Sequence, residues 1–384
     1  MRFLQKDKVY KTIIVISDAH LGAGVMVDGK RNCLEDFHHD KELVEFLEYY
    51  QSGEYQNREV ELVINGDFLD FLSVPYIKYF DDEIWGEAAS RERLKLIVKA
   101  HREVFDTLAR FVSVKKRKIV YILGNHDAEL IMDGNQKSFF ELFSEDARKQ
   151  VTIISNDGGQ YIPYPGVYII HGHEYELAHY FHSKKSVVLS ENGAKYFLPP
   201  WGSYYITRVL NKFREEKSYL NSVKPIRKFL INGLIYDTLF TLRFVVASIY
   251  YFIMVRFIFF FKQHKSMGKI IDYVKRELEL YRDYEELTEE FFEQKKDVRA
   301  LLVGHTHEPV FRPRGDGSIF INTGTWTKMF NLDFGKRAEG IRLTYAQIDI
   351  KPQDKGKDVA GNEDYLDISL NIWKGHNNLP YAEF

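Results

Sequence analysis

The sequence has no cysteine pair, no opening that reads as a secretory-type leader and no charge-free apolar run of bilayer length, and each shortage narrows what the chain is expected to be. Cys33 stands alone and cannot close an internal disulfide, so nothing points to an oxidising compartment and a cytoplasmic setting is expected. The opening MRFLQKDKVYKTIIVISDAH has neither the unbroken apolar core nor the small-residue cleavage site of a signal peptide, and it is expected to enter the fold directly. An aromatic apolar run, FVVASIYYFIMVRFIFFF, does occur at 244–261, but its longest stretch without formal charge, Phe244 to Val255, falls short of the ~20 residues a bilayer span needs. A span would bury Arg256 or make it snorkel. A buried helix, a dimer contact and a lipid-facing helix are the other readings.

What is present is an ordinary globular composition, 45% hydrophobic and 28% charged, enough for a large core and an accessory unit. The net charge of −2 hides a division. From Lys184 to Lys265 there are fourteen Lys or Arg against four Asp or Glu, and from there to Asp297 six against ten. A basic, aromatic block beside an acidic one suits an anionic partner, although basic helices also simply solvate their faces. Lys224, Arg227, Lys228, Arg243, Arg256, Lys262 and Lys265 punctuate the apolar surface, as in a helix lying on an anionic leaflet. "KKRK" at 115–118 reads as a solvated helix end, and the basic excess is confined to one block, so nucleic acid is not an expected partner.

Short apolar runs predict strands at 12–17, 60–65, 118–123, 167–171, 299–304, 318–322 and 341–349. Helical patterns such as KELVEFLEYY and RLKLIVKAHREVFDTLARFV lie between them. The layout is α/β, with a core of 1–180 and 298–384 interrupted by a helical, aromatic-rich basic insertion over 181–297. Inside the insertion, Asn232-Gly233 and Lys224-Pro225 are expected breaks.

Five of these strands end in metal-competent residues: Asp18 and His20 in VISDAHLG, Asp67 in VINGDFLD, Asn125, His126 and Asp127 in YILGNHDAE, His171 and His173 in YIIHGHEYE, and His305 and His307 in LLVGHTHEP. Open α/β sheets place their sites at such strand ends. Imidazoles, carboxylates and an amide oxygen without thiolates suit borderline divalent ions, Mn first and Fe, Zn, Co or Ni also, rather than a structural zinc cage. Seven or eight ligands exceed one ion and match a two-metal clamp for phosphoryl displacement. A lone histidine after a strand is more often a hydrogen-bonded loop residue; the ordered set argues otherwise.

Asp18-x-His20, Gly66-Asp67, Gly124-Asn125-His126-Asp127, His171 and Gly304-His305-x-His307, followed by INTGTW at 321–326, resemble the calcineurin-like metallophosphoesterase family. The resemblance implies a four-layer α/β/β/α sandwich, here with a long helical cap, and a dimetal site at the strand ends. It implies that Asp18, His20 and His307 hold one metal, that Asn125, His171 and His305 hold the other, and that Asp67 bridges. His126 is then the residue that stabilises charge and protonates the leaving oxygen, with Asp127 orienting it. Asp70 is left between orienting an imidazole and capping a helix, His173 between supporting a ligand and touching substrate, and His179 and His182 read as surface histidines.

Within the family, ISDAHLG, GDFLDF and a helical insertion before GHTH resemble the UDP-2,3-diacylglucosamine pyrophosphatases, peripheral membrane enzymes with an acyl-binding cap. Two features depart from that group: His126 stands where Arg is usual, and no Trp-x-Gly-Asp-Asp stretch follows GDFLDF. The expected partner is a phosphorylated small molecule or lipid. A homodimer through the cap, a soluble nucleotide or diester substrate, and a non-catalytic protein-binding scaffold complete the alternatives.

Overall fold

The computed structural model describes residues 9–75, 82–254, 284–332, 339–352 and 364–375. Two sheets lie face to face. The first has the order Tyr365–Ile372, Thr344–Lys351, Lys11–Ile16, Glu59–Asn65, Arg117–Ile122, Val151–Ile154. Its last four strands are parallel and the two C-terminal ones antiparallel. The second runs Val310–Pro313, Ile319–Asn322, Ala300–Val303, Val167–Ile169, Tyr161–Tyr164, parallel at its centre and antiparallel at both edges.

The near-continuous apolar strands explain the layering, because a strand apolar on both faces must be covered on both. Ile13 and Val15 enter the core between the sheets with Val120, Leu302 and Ile321. Ile14 and Ile16 point the other way, into the layer of helices Asp40–Tyr49, Glu87–Ala100 and Arg102–Ser113. Leu301 and Val303 face outward from the second sheet onto Phe292 of helix Tyr284–Gln294. The order of layers is α/β/β/α, as the resemblance implied.

Each expected strand has a counterpart, with two differences of detail. The run 341–349 is divided: Glu339–Ile341 joins a small sheet with Lys328–Asn331 and Val223–Lys224, and Thr344–Lys351 joins the large one. The helical pattern at 93–112 is two helices, because His101 leaves helical geometry (φ −112°, ψ 36°) and its Nδ1 sits 2.7 Å from Asp40 Oδ1.

The insertion is less purely helical than expected. Val187–Leu189 pairs with Lys195–Phe197 before a helical rod runs from Trp201 to Arg214 through a π-turn. That rod is fastened to the core: Asn211 Nδ2 donates to Leu72 O at 2.8 Å, and the Arg214 guanidinium donates to Leu34 O and Asp36 Oδ1 at 3.1 and 2.7 Å. A helical hairpin follows, Ile226–Tyr236 and Thr238–Ile253. Asn232-Gly233 does not break it. A Cβ on Gly233 would stand 2.3 Å from Thr241 Oγ1, so the glycine marks the close approach of the two helices, and the chain turns at Asp237.

The apolar run 244–261 is described only as far as Met254; Arg256, Lys262 and Lys265 lie outside the described residues. Among the described residues, no helix is long and apolar enough to cross a membrane. The hairpin nonetheless leaves much apolar surface in water, with Tyr236 at 86%, Leu239 at 71% and Ile235 at 66% exposure.

Candidate metal centre

The polar ends of Lys11–Ile16, Glu59–Asn65 and Arg117–Ile122 meet those of Val167–Ile169 and Ala300–Val303 along one edge of the sandwich. Backbone geometry there is unusual. Asp18, His20, Asp67, His305 and His307 all have positive φ, between 51° and 66°. Left-handed geometry in non-glycine residues costs free energy and persists where the surroundings enforce it, commonly at functional sites. Here neighbouring strand ends enforce it: His20 N–H donates to Asp67 O at 2.9 Å, His305 N–H to Asp18 Oδ2 at 3.0 Å and His126 N–H to Asp67 Oδ1 at 2.8 Å. Gly124 is required by the same closeness, since a Cβ there would lie 2.1 Å from Asp67 Oδ1.

Donor atoms gather in adjoining groups, Asp18 with His20 and His307, and Asp67 with His171 and His305. His307 Nε2 is 3.4 Å from Asp18 Oδ1, and His171 Nε2 is 3.3 Å from Asp67 Oδ2. His171 Nδ1–H donates to Asn65 O at 2.7 Å, which fixes the ring with Nε2 on the side of Asp67. That Nε2 and Asn125 Oδ1 are both buried without a hydrogen-bond partner. Buried polar atoms are rarely left so, and these two are the donor types a divalent cation takes. The chain's residues therefore fit the ions that the family's chemistry implies.

Charge crowding sets the titration. Burial works against an ionised Asp67, but the imidazoles of His171, His126 and His20 outweigh it and hold the carboxyl well below its usual range. Burial also works against charge on His20 and His171, yet Asp70, Asp67 and Asp18 carry His20 up to about 9, and Asp67 with Asp18 carries His171 up to about 10. His307 moves down to about 4, because burial outweighs Asp18.

Two sequence-level assignments change, those of Asp127 and His179, and Asp70, left between orienting an imidazole and capping a helix, does both, since it also accepts from Ser73 N–H. Asp127 does not orient His126. Burial and the Asp67 charge raise its carboxyl to about 6, and it accepts from Phe68 N–H, Gly124 N–H and the Tyr121 hydroxyl, bracing the two loops. Asp70 has the role expected of Asp127: its Oδ1 accepts from His126 Nδ1–H at 2.9 Å and its Oδ2 is 3.6 Å from His20 Nδ1. With Nδ1 engaged, His126 Nε2 is left for a reacting group. His179 is not a surface residue of no consequence; its Nδ1 contacts Asn125 Nδ2 at 3.4 Å and its ring packs 5.2 Å from that of His305.

His173 is buried and stacked on Phe181, outside the donor groups, whereas His182 is partly exposed beside Asp157. Sequence reasoning passed over Glu176, whose Oε2 lies 3.3 Å from His305 Nε2 and 3.5 Å from His179 Nε2. The signal available was the i, i+3 spacing of Glu176 and His179 directly after the His171 motif. Glu176 is held at about 2 by His305 and His179 despite burial, and burial lowers His179 to about 4.

One cavity adjoins the centre at His307, and a second lies next to it in the cap. The first, of about 270 Å³, is lined by His307, Lys224, Thr325, Thr327, Asn331 and Arg342. The other, about 570 Å³ and mainly apolar, lies in the cap among Tyr205, Leu210, Leu220, Leu230, Phe244 and Val245. Lys224 borders both.

The sequence model of the family described as calcineurin-like phosphoesterase matches residues 11–309. No curated protein sequence matches the chain. Similar solved structures include a dimetal phosphatase from Danio rerio (12% identity, 95% of this chain and 100% of that one, TM-score 0.33). The calcineurin-like phosphoesterase YfkN from Bacillus subtilis is similar at 13% identity, over 94% of this chain and 90% of that one, with TM-score 0.30. A predicted phosphoesterase from Streptococcus pneumoniae gives 10%, 95%, 90% and 0.27. At such values the family model alone carries the assignment.

Proposed function

As a member of the calcineurin-like phosphoesterase family the chain is a metal-dependent hydrolase of phosphoester bonds, and we propose that it cleaves a phosphoester or pyrophosphate bond in an amphiphile at a membrane surface. The observation that supports this reading is the meeting at Lys224, beside His307, of a cavity of mixed lining that carries Lys224, Arg342 and Glu308 with a mainly apolar one. A charged head fits the first, between the Lys224 and Arg342 side chains, and an apolar chain fits the second. The exposed apolar hairpin that walls the second cavity supports access from lipid.

In this reading Asp18, His20 and His307 would hold one divalent ion and Asn125, His171 and His305 the other, with Asp67 available to both. Manganese is the ion we expect first, and the same nitrogen and oxygen set accepts Fe, Zn, Co and Ni as well. Such a pair, when bound, supplies Lewis-acid charge and an acidified water for attack at phosphorus. His126, steered by Asp70, presents Nε2 to the leaving oxygen and gives it a proton. The cap holds the apolar part of the substrate and keeps water from the cavity wall.

The test compares a long-chain phosphodiester or pyrophosphate presented in vesicles with a small chromogenic diester, for the wild type and Val245→Trp, which fills the apolar cavity. The expected result is at least about a tenfold loss of kcat/KM on the long-chain substrate with the small one unaffected, as displaced apolar contacts are worth ~1–3 kcal/mol. Equal activity of both proteins on the long-chain substrate would return the preference to a soluble nucleotide or diester.

A further inference from the structure

We propose that Glu176 and His179 are positioning residues that set one of the two ion sites, Glu176 fixing His305 directly and His179 relaying it to Asn125. Neither residue belongs to the motifs, and both lie within contact of that site's predicted ligands. Glu176 Oε2 stands 3.3 Å from His305 Nε2 and 3.5 Å from His179 Nε2, and His179 Nδ1 stands 3.4 Å from Asn125 Nδ2.

The proton positions follow from that chain. Asn125 serves an ion only through Oδ1, which is buried and unpartnered, so its amide nitrogen is the atom turned to His179. An amide nitrogen donates, so His179 Nδ1 accepts. A neutral imidazole that accepts at Nδ1 carries its proton on Nε2, which faces the Glu176 carboxylate. The same carboxylate lies 3.3 Å from His305 Nε2; taking that N–H, it would leave Nδ1 of the ring for the ion. One carboxylate thereby prevents the Asn125 amide from flipping and selects the His305 tautomer. Carboxylates and carbonyls behind ligating side chains act in this way, and losing one typically weakens metal binding 10- to 100-fold.

Glu176, His179 and His305 also satisfy the spacing of a cation site of their own, with all three donor atoms within 4.8 Å of one another. The Asn125 contact argues against it. An ion on His179 Nε2 would move that ring's proton to Nδ1, where it would meet the Asn125 N–H.

The inference rests on the assignment of Asn125, His171 and His305 to one ion. Its test is metal content and stepwise affinity, measured without substrate by equilibrium competition with a chelator using Mn²⁺. The proteins are the wild type, Glu176→Ala, His179→Leu and His179→Gln. The wild type is expected to bind two ions. Glu176→Ala and His179→Leu should weaken one of them 10- to 100-fold and leave the other unchanged. His179→Gln should restore most of the affinity, because a Gln amide accepts from Asn125 through its oxygen and donates to Glu176 through its nitrogen. Wild-type affinity for both ions in both disruptive variants would overturn the proposal. So would equal weakening of both ions, a wild type holding one ion, or a third ion lost in Glu176→Ala. None of these outcomes depends on the substrate, so the amphiphile reading stands or falls separately.

Discussion

His126 and Asp67 differ in what they touch, and their removal should separate proton transfer from metal retention. His126 bonds to Asp70 and lies edge-on to His20 with ring centroids 4.5 Å apart; it is within metal-donor spacing of His20 and Asp67, but each of those two also belongs to a group without His126. His126→Ala is expected to keep its ions and lose about 10²- to 10⁴-fold in kcat, the usual range for a general acid. Asp67→Ala should lose ions as well, measured by metal content after gel filtration. The two acids near His126 diverge in the same manner. Asp70→Asn should lower kcat at least about tenfold, because the His126 ring loses the carboxylate that orients it. Asp127→Asn should mainly cost stability, about 1–3 kcal/mol, as an amide N–H is forced against the Phe68 or Gly124 N–H. A larger kcat loss in Asp127→Asn than in Asp70→Asn would reverse the assignment. Sequence order could not separate these two acids: Asp127 adjoins His126 in the chain, but backbone N–H groups draw its carboxylate back into the loop. The predicted ligands were legible because each follows a strand whose apolar run is plain; Glu176 and His179 were not, because their role depends on how the chain folds back after His171.

At the scale of elements, the loop after the first strand is held by a buried cluster away from the ions. Glu35 accepts from the backbone N–H groups of Gly22, Gly24 and Phe37, and His101, in the break between two helices, lies 3.6 Å from Glu35 and 2.7 Å from Asp40. Burial opposes charge on His101, but Asp40 and Glu35 raise it to about 9. A folded-state value above the unfolded one of about 6.5 means that the contribution is complete below pH ~6.5 and lost as pH rises through about 9. Partly exposed Asp40 is screened, so about 1–3 kcal/mol is the expected size. Thermal melts of chelator-treated wild type and His101→Gln should therefore converge between pH 6.5 and 9.5. A gap that stays constant over that range would remove His101 as the cause. The break at His101 was invisible in the sequence because the heptad-like apolar spacing of 93–112 runs straight through it. Tyr365–Ile372 is the opposite case, a strand not among those expected although YLDISLNI alternates apolar and polar residues in strand fashion; pairing with Thr344–Lys351 completes the sheet edge. Lys328–Asn331 and Val223–Lys224 are too short to show any period and form only as members of one small sheet with Glu339–Ile341.

At the scale of the molecule, the cap's two faces do different things: its inner rod is tied to the core by Asn211 and Arg214, and its outer hairpin leaves Ile235, Leu239, Leu242, Val246 and Ile249 in water. Layer order was legible in the strand pattern, but whether the greasy run faced inward or outward was not, since hydropathy has the same value on either side of a helix. A lipid surface would bury those side chains at ~1–2 kcal/mol each, with Arg227 and Lys228 beside them suited to anionic headgroups. Leu239→Gln, Leu242→Gln and Ile249→Gln combined should thus reduce cosedimentation with vesicles containing anionic phospholipid at low salt by at least ~100-fold. Activity on a small soluble diester should be unchanged, because none of the three residues lies among the predicted ion ligands or the residues lining the cavity at His307. A second copy of the chain could bury the same face. Sedimentation velocity then distinguishes the cases: a dimer in lipid-free buffer that the triple substitution dissociates, with vesicle binding unaltered, would assign the hairpin to self-association and detach it from substrate access.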